Sequence, residues 1–305
     1  MASNTKQVAV DMSPFFHIYT DGTINRFFPP QFLPPSDDLN ASVRSKDVII
    51  QPADTGLSVR IFSPRHQTPP QQKLPIVVYI HGGAFCIGSP SVPIFHNFIS
   101  TVVEQANVIA VSIDYRLAPE NPLPIPFDDC WTAFQWIAAH AKGQGSDPWL
   151  NEYGDFTRVF LGGESAGATI SNDVAMRAGI EKFQGVEVVG FFLVHPFFAG
   201  KEVDKLYKFL CPTSSGTDDD PRINPAVHPR IREMAGRRVI FFLAELDFLT
   251  DWGRAYYEGL KKSEWSGEVE IFETEGEGHC FHLFNVNSQK SLALIDRLVD
   301  FLTRE

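Results

Sequence analysis

The sequence predicts an α/β protein, a mostly parallel sheet with helices on both faces. Two observations carry this. Short runs rich in β-branched and aromatic residues recur along the chain, and several are continuously apolar, as strands covered on both faces require. Between the later runs lie segments whose apolar residues recur near every 3.6 positions. The strand candidates are residues 48–50, 57–62, 76–80, 108–113, 159–161, 186–194, 239–244 and 269–272. The first two have room to pair antiparallel, and alternation of strand and helix then predicts a doubly wound sheet. Helical patterns cover 127–141, with Trp131, Phe134, Ile137 and Ala138 on one face, and also 165–180, 250–262 and 288–302.

Two segments stand outside the alternation. Near the start, Asp21-Gly22 lies between alternating apolar and polar residues, the signature of a two-residue hairpin. Residues 197–229, with a candidate helix at 205–210, interrupt the later alternation and are expected to lie over the carboxyl ends of the strands, where such sheets hold their sites. The Pro-rich patches at 28–35 and 64–75 read as loops. A length of 305 residues suits one large core, so the chain is expected to form a single domain.

Composition narrows the function. With 44% hydrophobic and 21% charged residues the balance is that of a globular protein. A net charge of −11 argues against nucleic acid or an anionic membrane as partner. Neither a signal-peptide run at Met1–Gln7 nor an apolar stretch of membrane-spanning length is found. Cys86, Cys130, Cys211 and Cys280 are far apart and form no CxxC pair, which reads as reduced thiols in a cytoplasmic protein. No cofactor motif or metal-ligand spacing is evident; His279 with His282 lacks acidic or Cys partners.

The chemistry centres on Gly163-Glu164-Ser165-Ala166-Gly167, where a strand candidate runs into a helix candidate. Small residues at Gly163 and Gly167 permit a turn tight enough to lift Ser165 clear of the sheet at a helix N-terminus, where negative charge is favoured. Alone the pattern is weak, since it arises by chance about once in ten chains this long, and Ser165 then reads as an ordinary helix cap. Other segments add to it. The strand at 76–80 ends in His81-Gly82-Gly83-Ala84-Phe85, and the N–H groups of Gly82, Gly83 and Ala166 are candidates for an oxyanion hole. His81 is expected to hold this loop by a hydrogen bond. A serine needs a base and the base an orienting acid, following it in the order Ser, acid, His. Asp247, just past the strand at 239–244, is the candidate acid, with Glu245 and Asp251 as rivals. His279, in a Gly-flanked loop, is the candidate base, while His282 among apolar neighbours reads as packing. Ala84, Phe85, Phe197 and Phe198 are candidates to line an apolar substrate pocket, and core packing explains the phenylalanines equally well.

HGGAF, Asp114-Tyr115-Arg116-Leu117-Ala118-Pro119-Glu120, GESAGA, the Asp247 segment and GHCFHLF together resemble the plant carboxylesterases of the hormone-sensitive-lipase group, over nearly the whole chain. The resemblance implies an α/β-hydrolase fold, a cap built from about residues 1–45 and 197–229, and a triad of Ser165, Asp247 and His279. It implies hydrolysis of small apolar carboxylic esters through an acyl-enzyme, by a monomer or homodimer without a cofactor. Relatives in this group also include dehydratases and cyclases of plant specialised metabolism, lactone-forming acyl transferases, and hormone receptors that replace the base, which is present here as His279. Where the family often has HGGG and GDSAGG, this chain carries Ala84, Glu164 and Ala168, and the segment 198–207 is short for the group.

Overall fold

In the computed structural model, which describes residues 6–28, 31–51, 55–65, 72–143 and 145–304, an eight-stranded sheet organises the chain. Its strands are β4 (Val43–Ile49), β5 (Ser58–Pro64), β6 (Leu74–Ile80), β7 (Ile109–Asp114), β8 (Gly154–Glu164), β9 (Val188–Val194), β10 (Arg238–Ala244) and β11 (Glu268–Thr274), in the spatial order β11-β10-β9-β8-β6-β7-β5-β4. β5 runs antiparallel to both β4 and β7, and all other neighbours are parallel. Each strand candidate corresponds to one of these, although β4 begins at Val43 rather than Val48. The sheet is covered on both faces because its central strands are apolar on both sides. Ile76, Val78 and Ile80 of β6 belong to one core cluster and Val77 and Tyr79 to the other.

The helices divide accordingly. α1 (Pro93–Ala106) and α8 (Gln289–Thr303) pack on the Val77 face, while α2 (Ile125–Ala138), α4 (Ala166–Glu181) and α6 (Thr250–Lys262) cover the Ile76 face. α1 is absent from the sequence reading. Its apolar residues Phe95, Phe98, Ile99, Val102, Val103 and Ala106 do follow helical spacing, but it starts after Val92 with no side-chain cap and with Pro93 at its first turn. The short helices α3 (Pro148–Tyr153), α5 (Lys205–Leu210) and α7 (Phe281–Phe284) complete the set used below, and α5 falls where the sequence placed a candidate helix.

The chain before β4 forms a separate antiparallel sheet of β1 (Val8–Met12), β2 (Phe16–Tyr19) and β3 (Ile24–Arg26). The Asp-Gly hairpin is present, but its loop holds three residues, Thr20-Asp21-Gly22, rather than two. Tyr19 N–H bonds Thr23 O, and Gly22 takes a φ of 82° at the left-handed closing position of a three-residue loop. Arg26 fastens this hairpin to the body through Cys86 O at 2.7 Å and both carboxylate oxygens of Glu120. The YRLAPE segment is thus a set of anchors. Tyr115 donates to His81 O at 2.9 Å, Arg116 forks onto Asp129, and Glu120 receives Arg26.

Where β8 meets α4 the backbone is tightly confined. Ser165 has φ 54° and ψ −122°, outside the regions L-residues ordinarily occupy. A Cβ on Gly163 would stand 2.1 Å from Ile80 O, and one on Gly167 would stand 2.0 Å from the same atom. Both glycines are therefore required by close approach to β6. Gly167→Ala should destabilise the fold by about 3 kcal/mol or more, the upper range for overpacking, read as a lower urea midpoint. A midpoint within the wild-type error would contradict this packing.

Candidate active site

The elbow, the loop after β6, the turn after β10 and the loop after β11 converge at the carboxyl ends of the parallel strands, as the topology dictates. Ser165 Oγ lies 2.9 Å from His279 Nε2, and His279 Nδ1 lies 2.8 Å from Asp247 Oδ2. One tautomer satisfies both bonds, with Nδ1–H donating to the carboxylate and Nε2 accepting from the hydroxyl. Asp247 is buried, and its Oδ1 accepts the Leu249 N–H at 2.9 Å, which fixes the carboxylate plane. The Ser165 hydroxyl makes no capping bond to α4, so the ordinary-cap alternative does not describe it. The rival acids point elsewhere. Glu245 accepts the Gly276 N–H, and Asp251 sits in the exposed first turn of α6.

The loop after β6 departs from expectation at Gly82. Its N–H donates to Glu164 Oε1 and is already committed. Gly83, Ala84 and Ala166 have backbone N–H groups that no described residue accepts, and Gly83 and Ala84 line the same cavity as Ser165. In this loop the unbonded N–H groups facing the cavity are therefore those of Gly83 and Ala84 rather than Gly82 and Gly83. Ala84 holds φ 52°, a left-handed conformation uncommon for a residue with a side chain. Sequence reasoning did not see this because it turns on a contact between residues 82 positions apart.

Glu164 also accepts from Tyr79 Oη at 2.6 Å, and burial pushes its carboxyl up from 4.5 to about 7. The surroundings are correspondingly short of charge. His81 is buried, stacks on Tyr115 and contacts Gly82 O through Nδ1; burial lowers it to about 4, so it is neutral at physiological pH. His282 is buried edge-on to Phe98 and lowered by burial to about 3, in keeping with a packing role. Cys280 is buried at the cavity edge, and burial raises its thiol well above the ordinary range. Among the described residues no group of three His, Cys, Asp or Glu converges as a metal site.

Ser165 and His279 open into a cavity of about 1650 Å³. Apolar side chains dominate its wall, among them Phe32, Ile94, Phe197, Phe248, Leu283 and Phe284. The N-terminal segment contributes Phe15, Arg26 and Phe27, and the segment after β9 contributes Val203 and Leu206. Of the four residues expected to line it, Ala84 and Phe197 do. Phe85 and Phe198 do not, and this corrects the expectation. Phe85 is wedged between Phe127, Phe197 and Tyr207, and Phe198 packs edge-on to Tyr256, both as core side chains. Phe248 and Phe284 were missed, although each follows closely on a relay residue.

A family profile described as alpha/beta hydrolase fold matches residues 77–283, and the chain belongs to that family. Its affinities lie on the carboxylesterase side. A probable carboxylesterase 2 of Arabidopsis thaliana is 41% identical over 100% of this chain and 99% of its own length. Tuliposide A-converting enzyme 1, chloroplastic, of Tulipa gesneriana is 40% identical over 98% of this chain and 79% of its own length. The fold is also that of an esterase from Pyrobaculum calidifontis, with a TM-score of 0.68 and 23% identity over 85% of each chain. No helix among the described residues is long and apolar enough to cross a membrane.

The raised Glu164 carboxyl makes a stability prediction. Its folded-state value of about 7 lies above the unfolded 4.5, so its contribution is complete below 4.5 and is lost as pH rises to about 7. Glu164→Gln cannot ionise. Relative to this variant the wild type should lose stability between pH 4.5 and 7.5, on the order of 3 kcal/mol, measured as the difference in urea unfolding free energies. A pH-independent difference would mean that Glu164 is not held neutral.

Proposed function

We propose that the chain hydrolyses carboxylic esters through an acyl-enzyme on Ser165. The observation that carries this reading is the unbroken hydrogen-bonded path Ser165–His279–Asp247 opening into an apolar cavity. Ser165 Oγ attacks the ester carbonyl carbon as its proton passes to His279 Nε2, while Asp247 holds the imidazole orientation and stabilises the imidazolium. The carbonyl oxygen takes up negative charge against the N–H groups of Gly83, Ala84 and Ala166. The alkoxy C–O bond then breaks, the leaving alcohol receives the proton from His279, and the acyl group stays on Ser165. Water, deprotonated by His279, attacks the acyl carbon, the acid departs, and Ser165 regains its proton.

The substrate class follows from the walls. Aromatic and aliphatic side chains near Ser165 suit an apolar acyl or alcohol group, and a cavity above the usual 300–1,000 Å³ of small-molecule sites admits more than a short acetate. We assign the cap to the N-terminal segment and residues 197–229, whose side chains border this cavity, on a single α/β-hydrolase domain. A second reading is intramolecular acyl transfer, in which a hydroxyl of the substrate's own acyl group replaces water and releases a lactone. The tuliposide-converting relatives favour it as an alternative outcome on the same acyl-enzyme. Four buried free thiols suit a reducing compartment, and we assign the enzyme to the cytoplasm; a fluorescent fusion accumulating in plastids would overturn that assignment.

Ser165→Ala should lower turnover of a p-nitrophenyl ester by about 10⁴-fold or more and abolish the acyl adduct seen by intact-protein mass spectrometry. Turnover near the wild-type rate would refute the assignment. Product analysis on hydroxyacyl esters separates free acid from lactone.

A further inference from the structure

The two halves of the relay lie 114 residues apart in the chain, yet they must stay 2.9 Å apart. The segment after β9 touches both. Ser165 N–H donates to Val194 O at 2.9 Å, and Phe197 N–H donates to Ser165 O at 3.1 Å, so residues 194–197 grip the backbone of the serine from both sides. Between these contacts stands His195. Its Nδ1 accepts the N–H of Cys280 at 3.0 Å, the residue directly after His279. Its own N–H donates to Phe242 O at 2.9 Å, tying the segment to β10 as well.

We propose that His195 is a positioning residue, the strut that sets the distance between Ser165 and His279; the inference rests on the ester-hydrolase reading above. The arrangement is over-determined. His195 has φ 45° and Cys280 has φ 54°, so two left-handed residues face each other across a single hydrogen bond. Such conformations persist only where surrounding contacts fix them. Because a backbone N–H can only donate, Nδ1 of His195 must accept, and the ring is neutral with its proton on Nε2. Burial, followed by the neighbouring His282 and His279, lowers its pKa well below the ordinary histidine value, which keeps the acceptor available across the working pH range. His195 neither contacts the Ser165 hydroxyl nor lines the cavity itself; it acts through the Cys280 N–H and through its ring, which packs 6.1 Å from that of His279.

The test compares His195→Asn with His195→Leu. Asn places an amide oxygen where Nδ1 stands and tolerates left-handed backbone; Leu fills part of the ring volume but offers no acceptor. The readouts are kcat and KM on a p-nitrophenyl ester and the rate of Ser165 labelling by a fluorophosphonate. Asn should keep kcat within about threefold of wild type. Leu should lose about 10²-fold in kcat and in labelling rate, the scale of an ångström misplacement, with KM little changed. Folded His195→Leu with wild-type kcat, or His195→Asn as impaired as Leu, overturns the strut. Should Leu fail to fold, Asn alone decides, because a role confined to ring packing predicts loss in Asn too. A wild-type protein whose Ser165 resists the fluorophosphonate refutes the nucleophile assignment, which a failed strut leaves intact.

Discussion

One close backbone approach is the constraint on which the site depends: the turn from β8 into α4 runs against the last carbonyl of β6. Gly163 and Gly167 both lie over Ile80 O, with no space for a methyl group between. That approach forces Ser165 into its unusual φ, directs the hydroxyl away from the helix, and leaves the first N–H of α4 unpaired. It also places Glu164 within reach of the loop that follows β6. Strain of this kind, of order 1–3 kcal/mol, is sustained because the two parallel strands and the helix are each secured by the core. The glycines do not act on a substrate; they let three backbones occupy one place.

Charge is managed by exclusion around this point. Glu164, His81 and His282 are each shifted by burial toward the neutral form. The carboxylate of Asp247 is matched instead to specific donors, the His279 ring and the Leu249 amide. In such surroundings a developing charge is poorly screened by water, so oriented N–H groups act more strongly on it. The ion pairs Arg26–Glu120 and Arg116–Asp129 hold loops, with Arg26, Glu120 and Arg116 bordering the cavity without bonding the relay. Their role is geometric: they keep the hairpin and the loop after β6 in register with the sheet.

Legibility in the sequence followed the range of the interactions. The central strands could be read because burial on both faces makes them continuously apolar, and the edge strands β4 and β11 by their alternation of apolar and polar residues, both local properties. The relay residues could be read because each sits just past a strand end in a short segment with its own signature. What was not legible depends on distant partners. Nothing local to Gly82 says that a glutamate from β8 takes its N–H, so the sequence offered as a donor a group that the structure shows already bonded. Phe85 and Phe198 looked like pocket residues because they adjoin site motifs, but side-chain direction is set by neighbours such as Phe127 and Tyr256. α1 escaped because helix starts are recognised by polar caps, and Val92 offers none.

The same distinction between local and distant control separates the proposed reaction from its outcome. Formation of an acyl-enzyme needs only the relay and the unpaired donors, which the elbow and three strand ends fix rigidly. What accepts the acyl group depends on which hydroxyl stands beside His279 when the acyl carbon is exposed, and the relay is indifferent to whether that oxygen comes from water or from the substrate itself. That choice falls to the walls. Phe248 and Phe284 line the cavity near His279 yet are themselves largely exposed, so water can approach the base unless a bulky acyl group covers them. A small acyl group leaves the approach wet and favours hydrolysis. A long, folded acyl chain bearing its own hydroxyl displaces that water and supplies the nucleophile at high effective concentration. On the proposed acyl-enzyme, the size of the acyl group and the aromatic wall it can cover would therefore govern the partition, with no change in the residues that perform the chemistry.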